Sequence, residues 1–110
     1  MNQKAKELGM KNTIFTDCKG TGEGKQHSTA YDISLLSKEL IKYDFLTPYM
    51  TTYMDELRNG ATQLVNTNTL VRTYDGILGI KAGYSEKSGY SVSAAAKRGD
   101  SVFISIIIGC

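Results

Sequence analysis

Lys81 is the residue whose setting most suggests chemistry. It stands in Gly79-Ile80-Lys81-Ala82-Gly83-Tyr84-Ser85, among small residues on a segment with strand composition that runs into the turn Glu86-Lys87-Ser88-Gly89. Side chains alternate across a strand, so Ile80 and Ala82 share one face while Lys81 and Gly83 share the other. The ammonium's neighbour on its own face therefore carries no side chain to obstruct a ligand. If the strand lies at a sheet edge, the ammonium can pair with a carboxylate while the strand backbone hydrogen-bonds an extended peptide laid alongside. An ordinary hairpin with a solvated lysine fits the same seven residues, because short motifs recur by chance.

The other chemically capable residues have plainer explanations. His27, the only histidine, lies between a glycine-rich loop and a helix start with no paired serine or cysteine, so it is read as satisfying local backbone groups. Asn66 and Asn68 are read as turn-formers. Gly20-Thr21-Gly22-Glu23-Gly24-Lys25 fails the spacing of both glycine-rich nucleotide motifs, and a loop accounts for it. Arg98-Gly99-Asp100 matches the tripeptide of adhesion ligands, but a tight hairpin turn already gives Gly99-Asp100 a reason to exist. Cys18 and Cys110 are too few and too far apart for a metal site, so free thiols are expected; a disulfide between them is conceivable in an oxidising compartment. Neither a metal nor a cofactor is expected.

The elements that must position Lys81 follow from periodicity. Residues 2–8 have helix-forming composition, with Gly9 placed to end the helix in a left-handed conformation, and residues 10–15 read as extended. Residues 17–26 read as loop. Thr29 and Asp32 resemble a capping box, and Ile33, Leu36 and Leu40 recur at helical spacing, which predicts a helix over residues 30–42. Pro48 marks a shorter helical turn within residues 45–53, and Asn59-Gly60 marks a turn. Past residue 62 the pattern changes to strands: residues 77–84, 89–97 and 101–108, in antiparallel succession with turns at 86–88 and Gly99-Asp100. Residues 101–108 are β-branched on both faces, which predicts a central position in a covered sheet. The reading is α+β, one partial domain over residues 1–110, mainly helix and loop to residue 61 and mainly antiparallel strands from residue 62.

Composition excludes several functions. A chain of 110 residues with 41% hydrophobic and 22% charged residues is normal for a globular domain and argues against disorder. Thirteen basic and eleven acidic residues leave a net charge of +2 with no basic cluster, so nucleic-acid binding is not expected. The apolar runs within residues 102–109 fall far short of the ~20 residues that span a bilayer, and no signal-peptide core follows Met1.

Read with its flanks, Lys81-Ala82-Gly83 resembles the Lys-Thr-Gly box of the penicillin-binding serine D-alanyl-D-alanine carboxypeptidases, with Ala82 where that box has threonine. Met1-Asn2-Gln3-Lys4-Ala5-Lys6-Glu7-Leu8-Gly9-Met10-Lys11-Asn12-Thr13 is similar to the segment following that family's Ser-x-Asn box, and His27-Ser28-Thr29-Ala30-Tyr31-Asp32 to its next helix start. Asn66-Thr67-Asn68-Thr69-Leu70-Val71 and Gly89-Tyr90-Ser91-Val92-Ser93-Ala94-Ala95-Ala96-Lys97-Arg98 resemble the approach to the lysine strand and the strand after it, in the same order. The resemblance implies a partial β-lactamase/transpeptidase-like domain, the C-terminal half of the catalytic domain, with N-terminal helices followed by a three-stranded antiparallel sheet.

The resemblance also implies an extracytoplasmic bacterial enzyme that cleaves peptidoglycan stem peptides through a serine acyl-enzyme and binds β-lactams. Lys81, Ala82, Gly83 and Ser85 would form its substrate-binding strand. A lost hydrogen bond to a charged group is worth about 1.5–3 kcal/mol, so Ala82 weakens carboxylate recognition unless Ser85 or an upstream residue compensates. Neither Ser-x-x-Lys nor Ser-x-Asn occurs in the chain, so it carries no catalytic nucleophile and is expected to be inactive alone. Bare strand edges are expected to find the missing N-terminal part of the domain or a second copy. The alternative is a noncatalytic binding or assembly module derived from the same fold.

Overall fold

The computed structural model describes residues 1–20 and 24–110; the glycine-rich segment read as loop falls partly on residues 21–23, outside the described residues. Helix α1 (Asn2–Glu7) ends at Gly9, whose φ of +78° is the left-handed cap expected from the sequence. Ile14 and His27 then exchange both backbone hydrogen bonds, at 3.0 and 3.2 Å, and close the base of the loop between them.

Helix α2 (Ala30–Leu40) starts where the Thr29 hydroxyl accepts from the Asp32 amide at 3.2 Å. The other half of the expected box is different. The Asp32 carboxylate, 1% exposed, accepts from the Asn12 backbone amide at 2.8 Å and the Thr13 hydroxyl at 2.6 Å. It therefore bolts the segment after α1 to the start of α2, while its charge complements the helix N-terminus. A buried hydroxyl pair, Ser37 and Ser93 at 2.7 Å, joins α2 to the sheet.

After a 3-10 turn (Asp44–Leu46), helix α3 (Thr47–Thr51) carries Pro48 in its first turn and packs against the lysine strand. The approach is tight at Gly79, where φ is +120° and an added Cβ would sit 2.6 Å from the Met50 Cβ. Two short strands follow, β1 (Met54–Leu57) and β2 (Thr62–Val65), paired antiparallel around Arg58, Asn59 and Gly60, all at positive φ. The expected turn is present, but strand β1 lies before residue 62, in the stretch read as helix and loop. The hairpin carries no dry face and so lacks apolar alternation.

A single helical turn, α4 (Leu70–Thr73), stands before Asp75, within the stretch from residue 62 read as mainly strands. The Asn66 carboxamide accepts from the Asn68 amide at 2.9 Å and the Asn68 carboxamide accepts from the Leu70 amide at 3.2 Å, so successive side-chain bonds wind the chain into that turn.

Strands β3 (Ile77–Ser85), β4 (Gly89–Arg98) and β5 (Ser101–Ile107) form an antiparallel sheet in the order β3-β4-β5. Strand β4 is central and holds the most buried apolar residue, Ala95 at 1% exposure. The central position expected for residues 101–108 is corrected. Strand β5 is an edge among the described residues, with Phe103 63% and Ile107 49% exposed. Consecutive hairpins set each strand beside the one before it, so among the described strands β5 has β4 alone as a neighbour.

Candidate functional site on the edge of the lysine strand

Strand parity determines what β3 offers to a ligand. Tyr90 and Cys110 exchange backbone hydrogen bonds at 2.8 and 3.1 Å, and the Lys97 amide donates to Gly76 O at 2.8 Å. Even-numbered residues of β4 thus turn their backbone groups towards β5 and odd-numbered ones towards β3. Lys81 stands opposite Ser93 and Gly83 opposite Ser91, so their backbones are committed to β4. Ala82, between them, turns its backbone to the open edge, and the same alternation turns Tyr84 there.

The side chains sort onto two faces. Lys81, Ser93 and Ile106 line a groove of about 720 Å³ shared with His27 from the loop base and Ile33 from α2, and Ala82, Gly83, Ser91 and Val92 border both this groove and the next. Tyr84, Tyr90 and Thr67 line that second, smaller groove of about 330 Å³. The Tyr84 and Tyr90 rings are a cross-strand pair with centroids 4.4 Å apart.

Lys81 is exposed and its amine lies beside a groove, outside any hydrophobic interior. Its ammonium reaches over the edge and donates to Ala82 O at 2.5 Å. The Thr67 hydroxyl donates to the same oxygen at 3.0 Å. An ammonium and a hydroxyl are therefore gathered on one outward-facing carbonyl at the strand edge. Both donors suit a carboxylate.

The remaining site residues fall as follows. Gly83 leaves the Lys81 face clear, with open space where a Cβ would stand. Ser85 also lines the larger groove, but its hydroxyl bonds Ser88 Oγ at 2.5 Å and accepts from the Ser88 amide at 3.1 Å, so it is engaged in closing the β3–β4 turn. His27 lines the same groove with its Nδ1 2.8 Å from Lys25 O, the local backbone role expected of it. Cys18 and Cys110 are exposed free thiols. Among the described residues no group of three or more His, Cys, Asp or Glu gathers as for a metal ion, and no helix is long and apolar enough to cross a membrane.

Sequence reasoning missed Thr67. It lies fifteen residues from Ala82, inside a stretch that reads only as a turn, and no spacing rule places its hydroxyl on β3. Tyr84 was the second omission, although its place two residues after Ala82 would have shown that their backbones share an edge.

Helices followed by an antiparallel sheet match the penicillin-binding and transpeptidase fold. The profile of the peptidase S11 family, D-alanyl-D-alanine carboxypeptidase, matches residues 1–110, and the chain belongs to that family. It is 43% identical over 112 residues to the D-alanyl-D-alanine carboxypeptidase DacF of Bacillus subtilis, an alignment covering 99% of the chain and 29% of the relative. Against the D-alanyl-D-alanine carboxypeptidase DacC of Escherichia coli the identity is 34%, over 99% of the chain and 27% of the relative.

Among solved structures, penicillin-binding protein D2 of Listeria monocytogenes in its cefotaxime-bound form superposes with a TM-score of 0.86 at 32% identity, covering 98% of the chain and 45% of that structure. The Streptomyces K15 DD-transpeptidase superposes with a TM-score of 0.84 at 28% identity, covering 98% and 44%. The chain spans under a third of these curated relatives and just under half of the solved structures. Both the family and the partial α+β fold implied by the motifs are borne out.

Proposed function

We propose that the chain forms the carboxylate-binding wall of a serine-type D-Ala-D-Ala carboxypeptidase that acts on peptidoglycan stem peptides outside the bacterial cytoplasmic membrane and binds penicillins at the same site. The observation that carries this reading is the convergence of Lys81 Nζ on Ala82 O at the open edge of β3. A stem peptide laid along that edge pairs its backbone with Ala82 and Tyr84, as an added strand does. Its terminal carboxylate meets the Lys81 ammonium, and Gly83 keeps the approach clear. Binding of this kind holds the scissile carbonyl in place for a serine carried on another segment, because orientation is what an edge strand contributes to acyl transfer. Neither Ser-x-x-Lys nor Ser-x-Asn lies within the 110 residues, so the chain alone performs no acylation. The missing part of the domain is its expected partner.

A fluorescent penicillin tests the reading. The purified 110-residue chain should take no covalent label. Fused behind a segment bearing the Ser-x-x-Lys and Ser-x-Asn boxes, it should label, and Lys81→Met should abolish the labelling. Labelling of the chain alone refutes the assignment of the nucleophile to another segment. A folded fusion that never labels favours the second reading, a noncatalytic module built on the same fold, for which the absent boxes are the motivating observation.

A further inference from the structure

We propose that Thr67 supplies to the substrate carboxylate the hydroxyl that Ala82 lacks. The inference rests on the carboxylate reading of Lys81 and adds to it a specificity-determining residue. Threonine in place of Ala82 would put a hydroxyl on the face of β3 opposite Lys81, at the strand edge. Thr67 comes from that same face, lining the smaller groove with Tyr84 and Tyr90. It meets Lys81 Nζ at one oxygen, the two donors standing 3.0 and 2.5 Å from Ala82 O.

The position is built. The Asn66 carboxamide donates to Thr52 O at 2.9 Å and accepts from the Asn68 amide at 2.9 Å, while Asn68, a residue only 3% exposed, accepts through its carboxamide from the Leu70 amide at 3.2 Å. Residues on both sides of Thr67 are thus pinned, and its side chain is left exposed at the edge. A hydroxyl has one proton to give. In the free chain it goes to Ala82 O; when a substrate strand pairs with the edge, an amide of the substrate takes over that carbonyl and the Thr67 proton turns to the carboxylate alongside the ammonium. Ala82 O is a placeholder for the ligand.

The test compares two probes on each variant: N-acetyl-D-alanyl-D-alanine and its C-terminal amide, titrated into the isotope-labelled full chain and followed by NMR. The wild type should prefer the free acid. Thr67→Val should reduce that preference about tenfold or more, the span of a hydrogen bond to a charged group. Thr67→Ser should keep it, and the double variant Thr67→Val with Ala82→Thr should recover it. Lys81→Met should abolish it. If Lys81→Met collapses the preference and Thr67→Val leaves it unchanged, Thr67 has no such role while the carboxylate reading stands. If Thr67→Val weakens acid and amide equally, the hydroxyl merely props the strand and the proposal is overturned. No preference in the wild type, or none lost in Lys81→Met, removes both.

Discussion

Replacing Asp32 by alanine removes the bolt between the segment after α1 and the start of α2. The buried carboxylate holds the Asn12 amide at 2.8 Å and the Thr13 hydroxyl at 2.6 Å. Hydrogen bonds to a charged group contribute about 1.5–3 kcal/mol each, and a negative charge in the first helical turn adds about 0.3–1 kcal/mol. These contributions overlap, because Thr13 Oγ1 also bonds Ser28 Oγ at 2.8 Å and retains a partner. The expected loss for Asp32→Ala is therefore about 3–5 kcal/mol, a large share of the ~5–15 kcal/mol that holds a domain together. At roughly 4–8 °C per kcal/mol for a small domain, melting should fall by about 12 °C or more, read by circular dichroism. Asp32→Asn keeps the shape and one acceptor, and should lose about half as much. An Asp32→Ala loss below ~1 kcal/mol would show that the carboxylate does not join these two segments.

Two further outcomes are expected. Gly79→Ala should destabilise by about 2–3 kcal/mol in denaturant unfolding, since its Cβ would meet the Met50 Cβ at 2.6 Å on a backbone with φ +120°. Met50→Ala should not rescue it, because the obstructing atom remains. The Lys42 ammonium, hydrogen-bonded to Glu39 at 2.6 Å, holds the Glu39 carboxyl below its ordinary 4.5, and Glu39 in turn holds Lys42 above 10.5. Stability from the pair is present at neutral pH, is lost on the acid side as pH falls through the lowered Glu39 value, and is lost on the alkaline side as pH rises through the raised Lys42 value. NMR titration of the Glu39 carboxyl should place its midpoint below 4.5, moving back towards that value in Lys42→Met and in high salt.

Helix α2, the Gly9 cap and the three long strands could be read from the chain because each follows from local periodicity or a single glycine. What escaped depends on partners distant in sequence. The hairpin of β1 and β2 lies on no core, so its residues show no alternation. Helix α4 arises from two asparagine side chains bonding forward, which sequence permits without specifying. The position of β5 was misread because two-sided apolar composition reports what could be covered, not what covers it. At the candidate site, Lys81 and its clear neighbour Gly83 stood out as residue types in a strand pattern. Thr67 did not, because its relevance is created only when the turn after β2 is laid against β3.

The two margins of the sheet differ in how they are finished. On the β3 side, the outward carbonyl of Ala82 is already stoppered from above and below by Lys81 and Thr67, so a stray chain must displace both before it can dock there. On the β5 side, parity turns the backbones of Val102, Ile104 and Ile106 outward along an uncharged, β-branched stretch that no described strand flanks. A chain added at the β3 margin must therefore first displace two donors, whereas one added at the β5 margin meets backbone groups that no described strand pairs.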